Sequence, residues 1–517
     1  MTATVAAYRS ELSSRPDGFI QLLHSEWTKL RTVRGWVIAL VIAAVVTVLF
    51  GLLTATGSAG SCGRGSDCAP PTGPGGEVVT DTFYFVHQPL AGDGAITARV
   101  ASLTGSLPSF EGEADIASGV HEWAKAGLIV KESTTQGSSY AAVMITGGHG
   151  VRMQHDYTHD VAGDAAPVTA TSPRWLRLTR VGDRLTGFES ADGTTWTEVG
   201  TAHLAGLSSS VQVGMFVASP EYEELRQGLG EVSTFSGPSQ ATAVFDGVTT
   251  QGPLSGDAWV AEEVGGRIGG LPSPSEAVDE SAGAFTVTGS GDIAPAVAGT
   301  GGNTIERSLQ GVFAGLIVVI VLGAMFITAE YRRGLIRATL AASPRRGRLL
   351  AAKALVLGGV IFVVGLVAAT FSIWYIGRTR RSNGEFIIPV SNLTELRLVV
   401  GTAALLAVAG VFAMALGTAL RRSTGAVAAA IVLLVLPYIL AIASVLPTAP
   451  SQWLLRLSPA AAFAVQQSTV QYAQVSSVYT PVTGYFPLAP WTGFAVLCAW
   501  TAVALAAAAV LLRRRDA

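Results

Sequence analysis

Charged residues are scarce in this chain. Asp, Glu, Lys and Arg make up only 14% of its 517 residues, whereas 49% are hydrophobic. An ordinary soluble domain carries about 25% charge, so this balance points to a membrane protein. Lysine is rarest: Lys29, Lys125, Lys131 and Lys353 are the only four. None follows a glycine, so no G-x-x-x-x-G-K-[ST] phosphate loop exists, which excludes ATP hydrolysis by this chain alone. No catalytic set can be singled out, and no pair of carboxylates stands out as glycosidase machinery. The apolar cores of the long hydrophobic runs contain no Asp, Glu, Lys, Arg or His. Proton- and sodium-coupled carriers place ionisable groups there, so a secondary transporter is disfavoured. No cofactor and no metal site is expected.

Cysteine is also sparse, with three residues. Cys62 and Cys68 flank a short loop after the first apolar run. They could close a small disulfide if that side is oxidising, or remain two thiols in a linker. Cys498 lies in the last apolar run and reads as packing.

The net charge of −2 conceals a division. Residues 57–307 hold 29 acidic and 12 basic residues, and the remainder holds 7 and 22. An acidic, soluble-looking block is therefore set inside a basic, apolar chain. The acidic block would repel a polyanion, so nucleic acid is excluded as its partner.

Six apolar runs are long enough to cross the ~30 Å hydrocarbon core at ~1.5 Å per helical residue. They are 36–56, 308–329, 354–377, 398–420, 425–446 and 491–512. The connection 330–353 holds Arg332, Arg333, Arg337, Arg345, Arg346, Arg348 and Lys353, and Arg421-Arg422 and Arg513-Arg514-Arg515 follow two later runs. The positive-inside rule puts these clusters and both termini in the cytoplasm, and residues 57–307 outside. The arginines of 378–397 are a local exception. Residues 1–35 form a cytoplasmic segment whose stretch Phe19–Arg34 places Ile20, Leu23, Trp27 and Leu30 at helical spacing, an amphipathic interfacial pattern. The uncharged stretch 457–490 is too polar and too rich in proline to span. It reads as a surface loop or, preferably, a re-entrant hairpin covered by protein.

Within 57–307, short β-like runs recur between turn signals: 96–100, 126–132, 140–146, 174–182, 185–190 and 211–219. Alternation in Trp175–Arg180 puts Leu176 and Leu178 on one face, and Asp192-Gly193 supplies a hairpin turn. An antiparallel sandwich follows, with its core at about 78–235 and further strands plus a tether over 236–307. The expected fold is a multi-span α-helical membrane protein. It has six transmembrane helices and an all-β extracytoplasmic sandwich inserted between helices 1 and 2.

Two motifs carry a family resemblance. Ser25-Glu26-Trp27-Thr28-Lys29-Leu30-Arg31, and Glu330-Tyr331-Arg332-Arg333-Gly334-Leu335-Ile336-Arg337 with its continuation to Arg346, resemble actinobacterial type 2 ABC-transporter permeases. The resemblance implies an exporter permease of the cytoplasmic membrane that pairs as a homodimer or heterodimer and is driven by a separate ATPase subunit. It assigns coupling to that subunit to Glu26, Lys29, Arg31, Glu330, Tyr331, Arg332, Arg333, Arg337, Arg345 and Arg346. For each arginine taken singly, an anchor on anionic membrane lipid is the plainer role. The large insert departs from the family pattern. Its segments Trp123–Val130, Arg174–Leu178 and Asp192–Trp196 resemble concanavalin/laminin-G-like sandwiches, which often bind glycans. That implies an exposed glycan or protein ligand surface at Tyr140, His155, Tyr157 and Trp196. His155 and His159 sit four apart but among strand signals, so no metal is expected there. Two alternatives stand beside the permease: a membrane-anchored glycan-binding or sensory protein, and a membrane-bound hydrolase. Six spans exceed what an anchor needs, and the hydrolase lacks a catalytic set.

Overall fold

The computed structural model describes residues 18–57, 69–110, 116–166, 172–228, 231–256, 258–266, 277–281, 283–297, 302–336, 345–443, 445–477 and 479–514. Cys62 and Cys68 lie outside the described residues, as does Arg337. Helix α1 (Phe19–Thr32) leads into six helices long and apolar enough to cross a membrane. These are α2 (Arg34–Thr56), α3 (Val312–Arg332), α4 (Arg346–Ser382), α5 (Asn392–Leu420), α6 (Ser423–Ile442) and, after the short α7 (Thr448–Leu457), α8 (Pro490–Arg514).

Between apolar helices in lipid, close backbone approach replaces the hydrophobic drive, so small residues mark the contacts. A Cβ on Gly311 would fall 1.8 Å from the Thr47 carbonyl oxygen, and one on Gly323 would fall 2.2 Å from the Gly410 carbonyl oxygen. These two positions set α3 directly against α2 and α5, and no other residue fits there. α5 is the most enclosed helix, with Leu398, Leu405, Ala409 and Ala413 fully buried. Ser391 caps its start by accepting a bond from the Thr394 N–H at 3.2 Å. The helix stops at Arg421, whose φ of 57° is left-handed.

α4 runs past the expected end at 377. It passes through a π turn over Ser372–Ile376 and continues to Ser382. The continuation carries Arg380, which is buried and pairs with Glu385 at 3.0 Å. This arginine of the 378–397 connection is thus neutralised within the protein, whereas Arg378 and Arg381 are exposed. The stretch after α7 packs inward, with Pro459–Gln466 as a 3-10 turn whose residues 459–465 are all buried. Its backbone is covered by protein, as a re-entrant segment requires.

The block between α2 and α3 is all-β. One sheet runs, in spatial order, Thr197–His203, Arg184–Ser190, Arg174–Val181, Gly94–Pro108, Gln240–Gln251, Ala284–Gly289 and Val278–Ser281, with Ile116–Ser118 beside Gly94–Pro108. The facing sheet runs Val260–Val264, Phe83–Ala91, Ser210–Ala218, Lys125–Lys131, Tyr140–Thr146, Val151–His155 and His159–Ala162. Every pairing is antiparallel. Leu176 and Leu178 point into the core between the sheets, with Val86, Leu128, Val143 and Phe245. The further strands expected after 235 belong to the sandwich itself: Gln240–Gln251 lies in mid-sheet and buries Ala241, Ala243 and Phe245 by strict alternation.

The second sheet is buried on both faces. Beyond the inter-sheet core, Phe83, Phe85, Ile129, Met144 and Phe216 form another apolar cluster with Val79, Val264 and Ile293. That is why Lys125–Lys131 and Tyr140–Thr146 read as continuous apolar runs, while Arg174–Val181 alternates. Strand Val79–Asp81 pairs with Ile293–Pro295, so the domain's entry and exit lie side by side. Buried Lys131 and Lys125 fix the two partners, through Asp81 at 2.8 Å and Asp292 at 2.5 Å. The sandwich rests on the bundle end formed by 385–391 and 467–486. Asn303 N–H donates to the Phe386 carbonyl at 2.8 Å, and the Gln474 amide donates to the Tyr157 and Thr158 carbonyls at 3.3 Å.

Candidate coupling site

The bundle end away from the sandwich gathers the two sequence motifs. Phe19–Thr32 lies against α4, and its buried seam is Leu22, Leu23, Glu26 and Leu30. Of the four apolar residues at helical spacing, Leu23 and Leu30 pack on the protein, whereas Ile20 and Trp27 face outward. The helix is turned so that Glu26 points inward, and the reason is Lys353. This lysine lies within α4 rather than in the loop before it, and both it and Glu26 are 0% exposed. Its Nζ is 2.7 Å from Glu26 Oε2 and 2.6 Å from Glu330 Oε1 at the end of α3. Lys29 Nζ closes the ring, 2.7 Å from Glu26 Oε1 and 3.5 Å from Glu330 Oε1. Phe326 lies beneath Lys353, 5.3 Å from its Nζ.

Two cations and two carboxylates therefore form a neutral knot joining three helices. Burial in low dielectric makes the charges of Glu26, Glu330 and Lys353 costly alone and strongly attracted to their partners, while Lys29 joins from a part-exposed position. The knot ties α1 to the boundary of α3 and α4. Arg346 adds a second tie, donating from Nη1 to the Leu512 carbonyl at the end of α8. Tyr331 adds a third, its ring 5.3 Å from the Arg421 guanidinium.

The remaining coupling candidates divide cleanly from these. Arg31, Arg332, Arg333 and Arg345 are exposed, as are Ser25, Trp27 and Thr28 on the outer side of α1. The site thus has an exposed basic face over a buried ionic joint. Of the expected coupling residues, Glu26, Lys29 and Glu330 belong to the joint, and Tyr331 and Arg346 brace it. Arg31, Arg332, Arg333 and Arg345 belong to the face. Lys353 is the member sequence reasoning missed. The signal was its position four residues after Leu349, in register with the buried side of α4.

The expected ligand surface on the sandwich does not assemble. Tyr140 and Tyr157 are buried, correcting their assignment as exposed residues. The Tyr157 hydroxyl donates to Asp81 Oδ2 at 2.8 Å and accepts from Lys131 Nζ at 3.1 Å. Burial, and then the Asp81 charge, push the Tyr157 phenol well above its usual range. His155 faces His159 across a hairpin with rings 4.2 Å apart, and burial with the second imidazole lowers the pKa of His155. Trp196 is half-buried under the Arg177 guanidinium at 3.9 Å. Among the described residues, no group of three or more His, Cys, Asp or Glu side chains could hold a metal ion.

The family profile described as "ABC-2 family transporter protein" matches residues 20–517. No curated protein matches the chain. Several solved structures match part of it, two of them as follows. One is a functionally unknown protein from Saccharomyces cerevisiae, 17% identical, covering 34% of this chain and 76% of its own, with a TM-score of 0.21. The other is scytalido-glutamic peptidase with a transition state analog inhibitor, 11% identical, covering 40% of this chain and 98% of its own, with a TM-score of 0.24. At these scores neither likeness bears on function.

Proposed function

Because the chain belongs to the ABC-2 family of transporter proteins and is a multi-pass membrane permease component, we propose that it is the permease subunit of an exporter driven by a separate ATPase. In this reading the knot end faces the cytoplasm, and the ATPase docks on the outer side of α1 and on Arg332, Arg333 and the following basic loop. The sandwich lies outside the cytoplasmic membrane, and two permease chains pair around the transport path. The observation that carries the proposal is the ionic joint of Glu26, Glu330 and Lys353, closed by the part-exposed Lys29. It converts displacement of an exposed helix into displacement of two spans. Export requires such a link when nucleotide chemistry occurs on another chain.

Changing Arg332, Arg333 and Arg337 together to glutamate is expected to abolish co-purification of the ATPase and its stimulation by the permease. The fold should be retained, because Arg332 and Arg333 are exposed. Retained binding and stimulation would overturn the docking assignment. Orientation is tested separately. A cysteine placed at Ala191, in an exposed hairpin turn of the sandwich, is expected to react with a membrane-impermeant thiol reagent on intact cells. Cys62, Cys68 and Cys498 are replaced in that background. Protection until the cells are broken would reverse the proposed topology.

A further inference from the structure

Between Arg422 and Arg513 the sequence contains one charged residue, Arg456. It belongs to α7, at the sandwich end of the bundle, and lines a cavity of about 320 Å³ between the end of α6, α7 and residues 471–487. The cavity is mixed in character: Gln452 and Tyr479 line it beside Leu446, Leu455 and Phe486. Its volume lies at the lower end of the roughly 300–1,000 Å³ usual for ligand sites. Among the described residues no carboxylate pairs with Arg456. Its guanidinium lies 5.1 Å from the Trp453 ring.

The outward side of α7 is apolar. Trp453 is 57% exposed and Leu457 is 66% exposed. The Trp500 indole N–H donates to the Leu457 carbonyl at 3.0 Å and holds the end of α7 against α8. An exposed tryptophan at the end of a helical bundle suits the boundary between hydrocarbon and headgroups. A cation with no acidic partner, in a half-polar cavity at that boundary, fits an anion that arrives attached to a hydrocarbon chain. A planar guanidinium matches phosphate geometry through paired N–H donors.

We propose that this cavity is a headgroup site for an anionic phospholipid of the leaflet at the sandwich end. The phosphodiester sits on Arg456, the polar headgroup occupies the cavity, and the acyl chains run along Trp453 and Leu457. The shared chemistry is a phosphate anion, and the experiment separates a lipid headgroup from free phosphate. Native mass spectrometry of the purified full chain in neutral detergent would follow titration with phosphatidylglycerol, phosphatidylcholine or inorganic phosphate. One phosphatidylglycerol per chain should bind at least tenfold more tightly than phosphatidylcholine, without competition from equimolar phosphate. Arg456→Gln should lose that preference, and Arg456→Lys, which keeps the charge without the fork, should retain an intermediate one. If Arg456→Gln fails to fold, thermal unfolding of the unaltered chain decides, because phosphatidylglycerol alone should raise its Tm. Equal affinity for both lipids, unchanged binding by a folded Arg456→Gln, or full competition by phosphate would each overturn the proposal.

Discussion

Lys353→Met is expected to destabilise the helical bundle by about 3–5 kcal/mol, the range found when one partner of a buried charge pair is removed. The change leaves Glu26 and Glu330 as two carboxylates sharing one cation, Lys29, whose side chain is 41% exposed. Glu26 cannot turn to solvent without lifting α1 off α4. The measurement is thermal unfolding of the detergent-solubilised chain, read as a loss of Tm against the unaltered protein. A neutral variant, Glu26→Gln with Glu330→Gln and Lys353→Met, removes the stranded charges and should recover most of that stability. The two variants separate stability from coupling. If the knot transmits motion, the neutral variant remains folded and still binds the ATPase, yet couples hydrolysis to transport less well. Unimpaired transport in the folded neutral variant would reduce the knot to a structural brace.

The knot also shows what a sequence can and cannot reveal. The six helices were legible, because an uncharged run of sufficient length has few other fates. The strands 125–131, 140–146 and 174–181 were equally legible, the last from its alternation and the others from continuous apolar runs. Partners separated by hundreds of residues were not legible. Glu26 and Lys353 meet across 327 positions, and each read locally as the polar flank of an apolar run. The basic connection looked uniform, yet three-dimensional packing divides it into buried ties and an exposed face. Tyr140 and Tyr157 failed for a related reason. An aromatic in a strand gives no sign that a third layer, here Val79–Asp81 with Ile293–Pro295, will cover its face. The strand at 240–251 was legible as a strand but not as a central one, because its inward residues are mostly alanines, too small to stand out in a Gly- and Ser-rich background.

Glu306→Gln is expected to stabilise the chain at pH 8 by roughly 3 kcal/mol and to change it little at pH 4.5. Glu306 lies in the short turn before α3, where Ser468 donates a hydrogen bond to its Oε2. Its Oε1 is sealed from solvent and has no hydrogen-bond partner among the described residues. Burial pushes its carboxyl up from 4.5 to about 7, against the opposing hydrogen bond from Ser468. The groups facing it are Ser468 and Gly484 from the segment after α7, Tyr438 from α6 and Arg397 from α5. Arg397 favours the ionised form but already donates to the Gln467 carbonyl. The folded chain therefore holds this proton more tightly than the unfolded chain does. Its contribution to stability is fully present below about pH 4.5 and is lost as pH rises to about 7. Glutamine has no proton to lose and can still accept the Ser468 bond. The difference in Tm between the two proteins should thus grow from near zero at pH 4.5 to its full value by pH 8. Other titrating groups cancel in that difference, since both proteins carry them. A difference that is flat with pH would show that the carboxylate is solvated in solution, and that the 467–486 segment does not seal it against the start of α3.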